Sequence, residues 1–189
     1  MCLEQKSEVV DQIFHNMSYD MMEPIGYIPM GLLGGVLFLV ILEIIAHFIW
    51  HERRGEHVIY QKRWMLFVCI VYVVVILKLA YFSREPGSRT GVDMTLFETW
   101  GTTAVAHAYV VENILMFLPF GILFPFTFRM MRSPIICVMT AFVCSVGIEA
   151  MQFITQRGHC QLDDVVMNTL GAYIGWGIYK GINWIRKRR

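Results

Sequence analysis

Two uncharged apolar stretches, residues 32–42 and 65–77, constrain this chain more than any other feature. Extended by their flanks, they reach the ~20 residues that cross a bilayer core. Hydrocarbon offers no water to a backbone N–H or C=O, so a continuous apolar run placed there has to be helical. Three more such runs follow. Composition agrees, with 56% hydrophobic and 16% charged residues against the roughly 25% charged of a soluble domain. The expected fold is therefore all-α, a polytopic membrane helix bundle of five transmembrane helices. The spans fall at residues 27–50, 64–82, 111–128, 134–154 and 165–182, one domain covering 27–189.

Positive charge orients the set. Arg53, Arg54, Lys62 and Arg63 lie between the first two spans, Arg129 and Arg132 between the third and fourth, and Arg186 to Arg189 close the chain. The segment ahead of the first span sets only Lys6 against Glu4, Glu8, Asp11, Asp20 and Glu23. That alternation predicts an external N-terminus and a cytoplasmic C-terminus. Tyr27, Trp50, Trp64, Tyr81, Trp176 and Trp184 fall near span ends, where amphipathic rings favour the interface.

Residues 1–26 are too polar for the core of a cleavable signal. Val9, Val10, Ile13, Phe14, Met17 and Met21 recur at helical spacing, which predicts an amphipathic helix on the outer surface. Residues 83–101 hold Pro86, Gly87, Ser88, Gly91 and Gly101 and read as a long external loop. The net charge of +1 gives no electrostatic footprint for nucleic acid. The five cysteines lack metal-ligand spacing, and Cys69, Cys137 and Cys144 read as small buried hydrophobes.

Orientation turns sequence position into depth. At ~1.5 Å per residue, Lys78 sits about 21 Å up from the inner end of its span and Glu149 about 22 Å up from the inner end of its own. Gln152 is higher still. Glu112 and Asn113 open the third span from outside; Asp163 and Asp164 precede the fifth, with Asn168 about 6 Å below Asp164. Arg84, Arg89 and Arg157 occupy the loops above. Ser145, Glu149, Gln152 and Gln156 form one stripe along the fourth helix, and Asp164 and Asn168 share a face of the fifth. Gly171 and Gly175 continue almost the same face and suit close helix packing. Pro119 and Gly121 should loosen or kink the third helix. Glu43 and His47 lie about 24 Å down the first helix, where a local hydrogen bond or snorkelling accounts for them.

A charge in hydrocarbon costs roughly 2.5–3.5 kcal/mol or more. The structural explanation of the cluster is a set of salt bridges, Lys78–Glu149 and Arg157–Asp163, with Asn113, Gln152 and Asn168 tying helices together. Inter-helix polar bonds average only about 0.6 kcal/mol, so stability alone is a weak reason to keep so many.

Three segments carry a resemblance: Asn113-Ile-Leu-Met-Phe-Leu-Pro-Phe-Gly121, Ile148-Glu-Ala-Met-Gln152, and Arg157 followed by Leu162-Asp-Asp-Val-Val-Met-Asn-Thr-Leu-Gly171. In order and spacing they resemble the VanZ-like membrane proteins over roughly residues 84–181. The family pattern falls on Asn113, Pro119, Gly121, Glu149, Gln152, Arg157, Asp163 or Asp164, Asn168 and Gly171, with Arg84 matching the arginine after the second span. The external loop departs from it, reading Met94-Thr-Leu-Phe-Glu-Thr-Trp100 in place of an Asn-Leu-Ile-Pro-Phe-like stretch. The resemblance implies a multi-pass protein of the plasma membrane of Gram-positive bacteria, with a role in low-level resistance to the lipid-tailed glycopeptide teicoplanin. It supplies no reaction.

The residues suit three tasks. Lys78, Arg84, Arg89 and Arg157 suit a phosphate or carboxylate on a lipid or cell-wall precursor. Glu149 and Asp164 suit acid–base work on that ligand, as the catalytic pair if a bond is broken. Glu112, Glu149, Asp163 and Asp164 suit a hard cation. We assign Lys78, Arg84, Glu112, Asn113, Gln152, Arg157, Asp163 and Asn168 to ligand binding, no metal centre and no cofactor. The expected partner is a membrane lipid or lipid-linked cell-wall precursor, with the glycopeptide itself second. The layer has no Ser–His or His-x-x-x-His pattern, and His107 and His159 stand apart, so no reaction class is legible. A membrane enzyme acting on a lipid-linked precursor is the alternative. A transporter is less expected without a repeat or broken-helix pair.

Overall fold

A computed structural model describes residues 25–41, 59–82, 87, 91–96, 104–158 and 160–188. The expected amphipathic segment and Glu43 and His47 lie outside them. Five helices are described: α1 (Ile25–Ile41), α2 (Ile59–Leu77), α3 (Ala104–Thr127), α4 (Pro134–Ile154) and α5 (Leu162–Arg188). A π turn, Lys78–Phe82, continues α2, and a 3₁₀ turn, Arg129–Arg132, links α3 to α4. Three stretches are long and apolar enough to cross a membrane: Trp64–Phe82, His107–Thr127 and Pro134–Ile154.

Local chemistry accounts for these elements. α2 is crowded with Val and Ile, which are mediocre helix formers in water. In lipid a backbone has no other partner, so such a sequence is helical there regardless. α4 starts at Pro134, whose fixed φ suits a first helical turn. It stops in a Schellman motif. Arg157 N–H donates to the Gln152 carbonyl (2.9 Å) and Gln156 N–H to that of Phe153 (3.2 Å), with Gln156 at φ 56° where glycine is usual. α5 carries Asp163 and Asp164 in its first turn and Arg186, Lys187 and Arg188 in its last, each matched to the helix dipole there.

α3 begins seven residues ahead of the apolar boundary at 111, and α5 runs from 162 to 188 rather than 165 to 182. Apolar length marks where lipid would lie, whereas helix propagation continues through any residue that tolerates the conformation.

α3 sits at the centre. Phe117 and Phe120 pack with Ile76 of α2, Cys137 and Ala141 of α4, and Ala172 of α5 as the buried core. Phe117, Phe120, Phe124 and Phe128 stack one above another at centroid spacings of 5.9, 4.0 and 5.7 Å. Their spacing of three or four residues places them along one ridge. Tyr72 of α2 donates to the Met116 carbonyl (2.9 Å) and meets Phe124 edge-on.

The tightest seam joins α3 to α5. A Cβ added at Gly171 would collide with the Ile114 carbonyl, one at Gly175 with that of Leu118, and one at Gly121 with that of Ala172. Only glycine lets the backbones approach this closely. Contacts advance together along both chains, from Ile114 opposite Gly171 to Leu118 opposite Gly175, so α3 and α5 run parallel. α1 packs on α2 more softly, with Gly31 and Gly35 against Val71 and Phe67 side chains.

An all-α reading misses one feature. Val92–Asp93 (β1) and Cys160–Gln161 (β2) pair in parallel, Val92 opposite Cys160 and Asp93 opposite Gln161. This short bridge fastens the α2–α3 connection to the turn between α4 and α5.

Candidate functional site

The C-terminal ends of α2 and α4 and the N-terminal ends of α3 and α5 meet at one end of the bundle. Helical phase turns their polar side chains inward. Glu149, Gln152 and Ser145 of α4 and Asp163 and Asn168 of α5 are all buried, and Glu112, Asn113 and Asp164 are half-buried beside them.

Separate bonds hold this layer together. Asn113 Nδ2 donates to Asp164 Oδ1 (2.7 Å), tying α3 to α5. Asn168 Nδ2 donates to Ser145 Oγ (2.9 Å), tying α5 to α4. Gln152 Nε2 donates to the Ala80 carbonyl in the π turn (2.7 Å). Glu149 Oε2 accepts the Gln161 backbone N–H (3.0 Å). Asn168 Oδ1 is buried without a hydrogen-bond partner, an acceptor left over for a donor from outside the chain.

The cations at this end sit over rings. Lys78 Nζ lies 5.6 Å from the Tyr27 ring centroid of α1, and the Arg157 guanidinium lies 5.1 Å from that of Tyr81. Such contacts are worth about 0.5–1 kcal/mol when exposed and more when desolvated. Arg84, Arg89 and His159 lie outside the described residues. His107 is half-buried in the first turns of α3.

Cys160 reports on the electrostatics. Burial pushes its thiol up, and the Glu149 and Asp164 carboxylates push it further, because both disfavour a thiolate beside them. Among the described residues, no three His, Cys, Asp or Glu side chains gather into a metal-holding group. The four carboxylates considered for a hard cation lie in one layer without forming such a group.

The expected stripe from Ser145 through Glu149 to Gln152 faces inward as one buried surface, while Gln156, next along it, is exposed beyond the helix end. Asn113 meets Asp164, and Asn168 meets Ser145. Gln152 and Glu149 instead reach backbone groups. Those backbone partners, the Ala80 carbonyl and the Gln161 N–H, have no side-chain signature in the sequence. The same holds for the strand pairing.

The VanZ/LLP1 family profile matches residues 64–185. The chain belongs to the VanZ/LLP1 family. The matched span runs from within α2 to the last turn of α5 and so contains every element of the polar end except Tyr27. Within that family, Protein VanZ of Enterococcus faecium is 30% identical over 116 residues, 60% of this chain and 69% of that protein. No solved structure matches the chain. Three helices of this VanZ-like chain are long and apolar enough to cross a membrane.

Proposed function

We propose that this chain is a five-span protein of the bacterial plasma membrane, external at its N-terminus and cytoplasmic at its C-terminus, whose polar end is an outward-facing site for a lipid or lipid-linked cell-wall ligand. Its role is then protection against teicoplanin or maintenance of the envelope. One observation carries the reading: three helices, α3, α4 and α5, bring amides and carboxylates to the same end of the bundle, where the Ala80 carbonyl after α2 joins them. Buried polar groups of this kind contribute little to stability compared with apolar packing, and the unmatched Asn168 Oδ1 leaves room for one more donor. Arg157 at the rim suits an anionic head group, which a guanidinium binds in bidentate fashion.

The test uses Glu149→Gln and Asp164→Asn, which keep shape and remove charge. Both proteins should reach normal membrane levels and lose teicoplanin protection. Full protection by either would remove its carboxylate from the proposed role.

A second reading, an enzyme acting on a lipid-linked precursor, is favoured by two acids set in the polar end, Glu149 buried against the Gln161 N–H and Asp164 held by Asn113. Mass spectrometry of lipids from matched strains separates the two. An altered precursor that disappears in Glu149→Gln supports the enzyme; an unchanged lipid pool supports binding.

A further inference from the structure

Glu149 has a neighbour that an acid, a base or a ligand contact would not require. Its Oε2 accepts from the backbone N–H of Gln161, the second residue of β2. β2 in turn holds β1: Cys160 N–H donates to the Gly91 carbonyl (3.1 Å) beside the Val92–Cys160 and Asp93–Gln161 pairs. Two more bonds fasten the same connection. Gly87 N–H donates to the Gln156 carbonyl (2.8 Å), and Gln152 holds the π turn from which the connection departs.

A parallel pair of two-residue strands is too short to persist unaided, since even an isolated two-stranded hairpin is marginal in water. It persists here because its β2 half is anchored to a buried side chain. A carboxylate accepting a backbone N–H makes a charge-assisted bond, roughly twice as strong as a neutral one, and Glu149 is only 3% exposed, so water competes little for it.

We propose that Glu149 is a positioning residue: through the Gln161 N–H it sets β2 and thereby holds the strap of residues 91–96 against the polar end. This deepens the reading of that end as a ligand site, because the strap then sets the shape of its rim. Val92, Met94 and Leu96 are exposed along the strap, so what Glu149 positions is an apolar edge beside a polar site. An apolar edge next to ionic groups fits an amphiphilic ligand, with a polar head inward and a hydrocarbon tail along the strap.

The strap can be followed without any activity. Val92 and Cys160 are register partners, and neighbouring strands lie about 4.8 Å apart, within the Cα separation a disulfide spans. Val92→Cys, with Cys2, Cys69, Cys137 and Cys144 replaced by alanine, should therefore cross-link to Cys160 when native membranes holding the full chain are mildly oxidised. Glu149→Gln keeps an acceptor oxygen and, with the carboxylate charge gone from beside Cys160, should cross-link at least as fast as the parent. Glu149→Leu should cross-link at least tenfold more slowly. Both variants lack the carboxylate charge, so its effect on the Cys160 thiol cancels between them. Gln161→Pro deletes the donor and leaves Glu149 in place; it should reproduce the slow rate and guards against a folding defect specific to leucine.

Equal rates in all four proteins overturn the proposal, and so does a Glu149→Gln rate as slow as that of Glu149→Leu. A parent that does not cross-link overturns the placement of the strap itself. Teicoplanin protection, measured separately, bears on the ligand reading alone: a strap that responds as expected in a protein conferring no protection would sink that reading and leave the positioning role intact.

Discussion

Cys160 is the residue at which the charge of the polar end can be read in solution. Partial burial, and then two carboxylates, disfavour its thiolate. The sign is simple: the folded-state pKa is raised, so reactive thiolate accumulates only at higher pH than in an ordinary peptide. Maleimide labelling of a single-cysteine Cys160 protein should be slow at neutral pH, and its rate–pH curve should lie above that of an unfolded control. Glu149→Gln removes one of the two charges, so it should shift the curve toward lower pH and speed neutral labelling severalfold. A curve that does not move would mean that Glu149 is not charged beside Cys160. Asn168 shows the complementary case: its amide nitrogen is engaged by Ser145 while its oxygen is left over. Water or a ligand hydroxyl is the natural donor for such an atom.

Glycines make opposite predictions within one helix, α5. Gly171 and Gly175 face the α3 carbonyls, whereas a Cβ at Gly177 would meet nothing. Gly171→Ala or Gly175→Ala must push backbones apart, an overpacking cost of about 1–3 kcal/mol, and should lower membrane levels and the melting temperature in detergent. Gly177→Ala adds a methyl in open space and gains about 0.5–1 kcal/mol of helix propensity, so it should melt higher. A uniform response at all three positions would contradict the seam. What was legible in the sequence follows the same division. Helical phase identifies side-chain faces, so the inward stripe through Ser145, Glu149 and Gln152, and the Gly171 and Gly175 face, could be read before any coordinates. It says nothing about backbone acceptors, so the Ala80 carbonyl as the partner of Gln152 was invisible. A widened π turn and a two-residue strand leave no periodicity at all, and β1 lies in a stretch that reads only as loop. Arg84, expected at the site, falls outside the described residues.

Across the whole molecule from α3 onward, acids occur only at the polar end. No Asp or Glu occurs at residues 114–148 or after Asp164, while Arg129, Arg132, Lys180, Arg186, Lys187 and Arg188 collect toward the opposite end from Glu149. Trp176 Nε1–H donates to the Arg132 carbonyl there (3.2 Å), and Arg188 stacks on Trp184. The proposed orientation predicts that a membrane-impermeant thiol reagent, applied for long enough at raised pH, labels Cys160 in intact cells. A fluorescent protein fused after Arg189 should glow, as expected for a cytoplasmic end. Labelling of Cys160 only after lysis would reverse the molecule.

The parallel seam between α3 and α5 also has a consequence for biogenesis. The two helices are not sequence neighbours; α4 is made between them and runs back to the polar end. While the ribosome is still building α5, the Gly121 face of α3 has no partner, Asn113 lacks Asp164, and Ser145 lacks Asn168. A chain truncated before α5 would expose glycine-flattened backbone and unmatched polar groups. Completion of the last helix therefore closes the seam and assembles the polar end in one step.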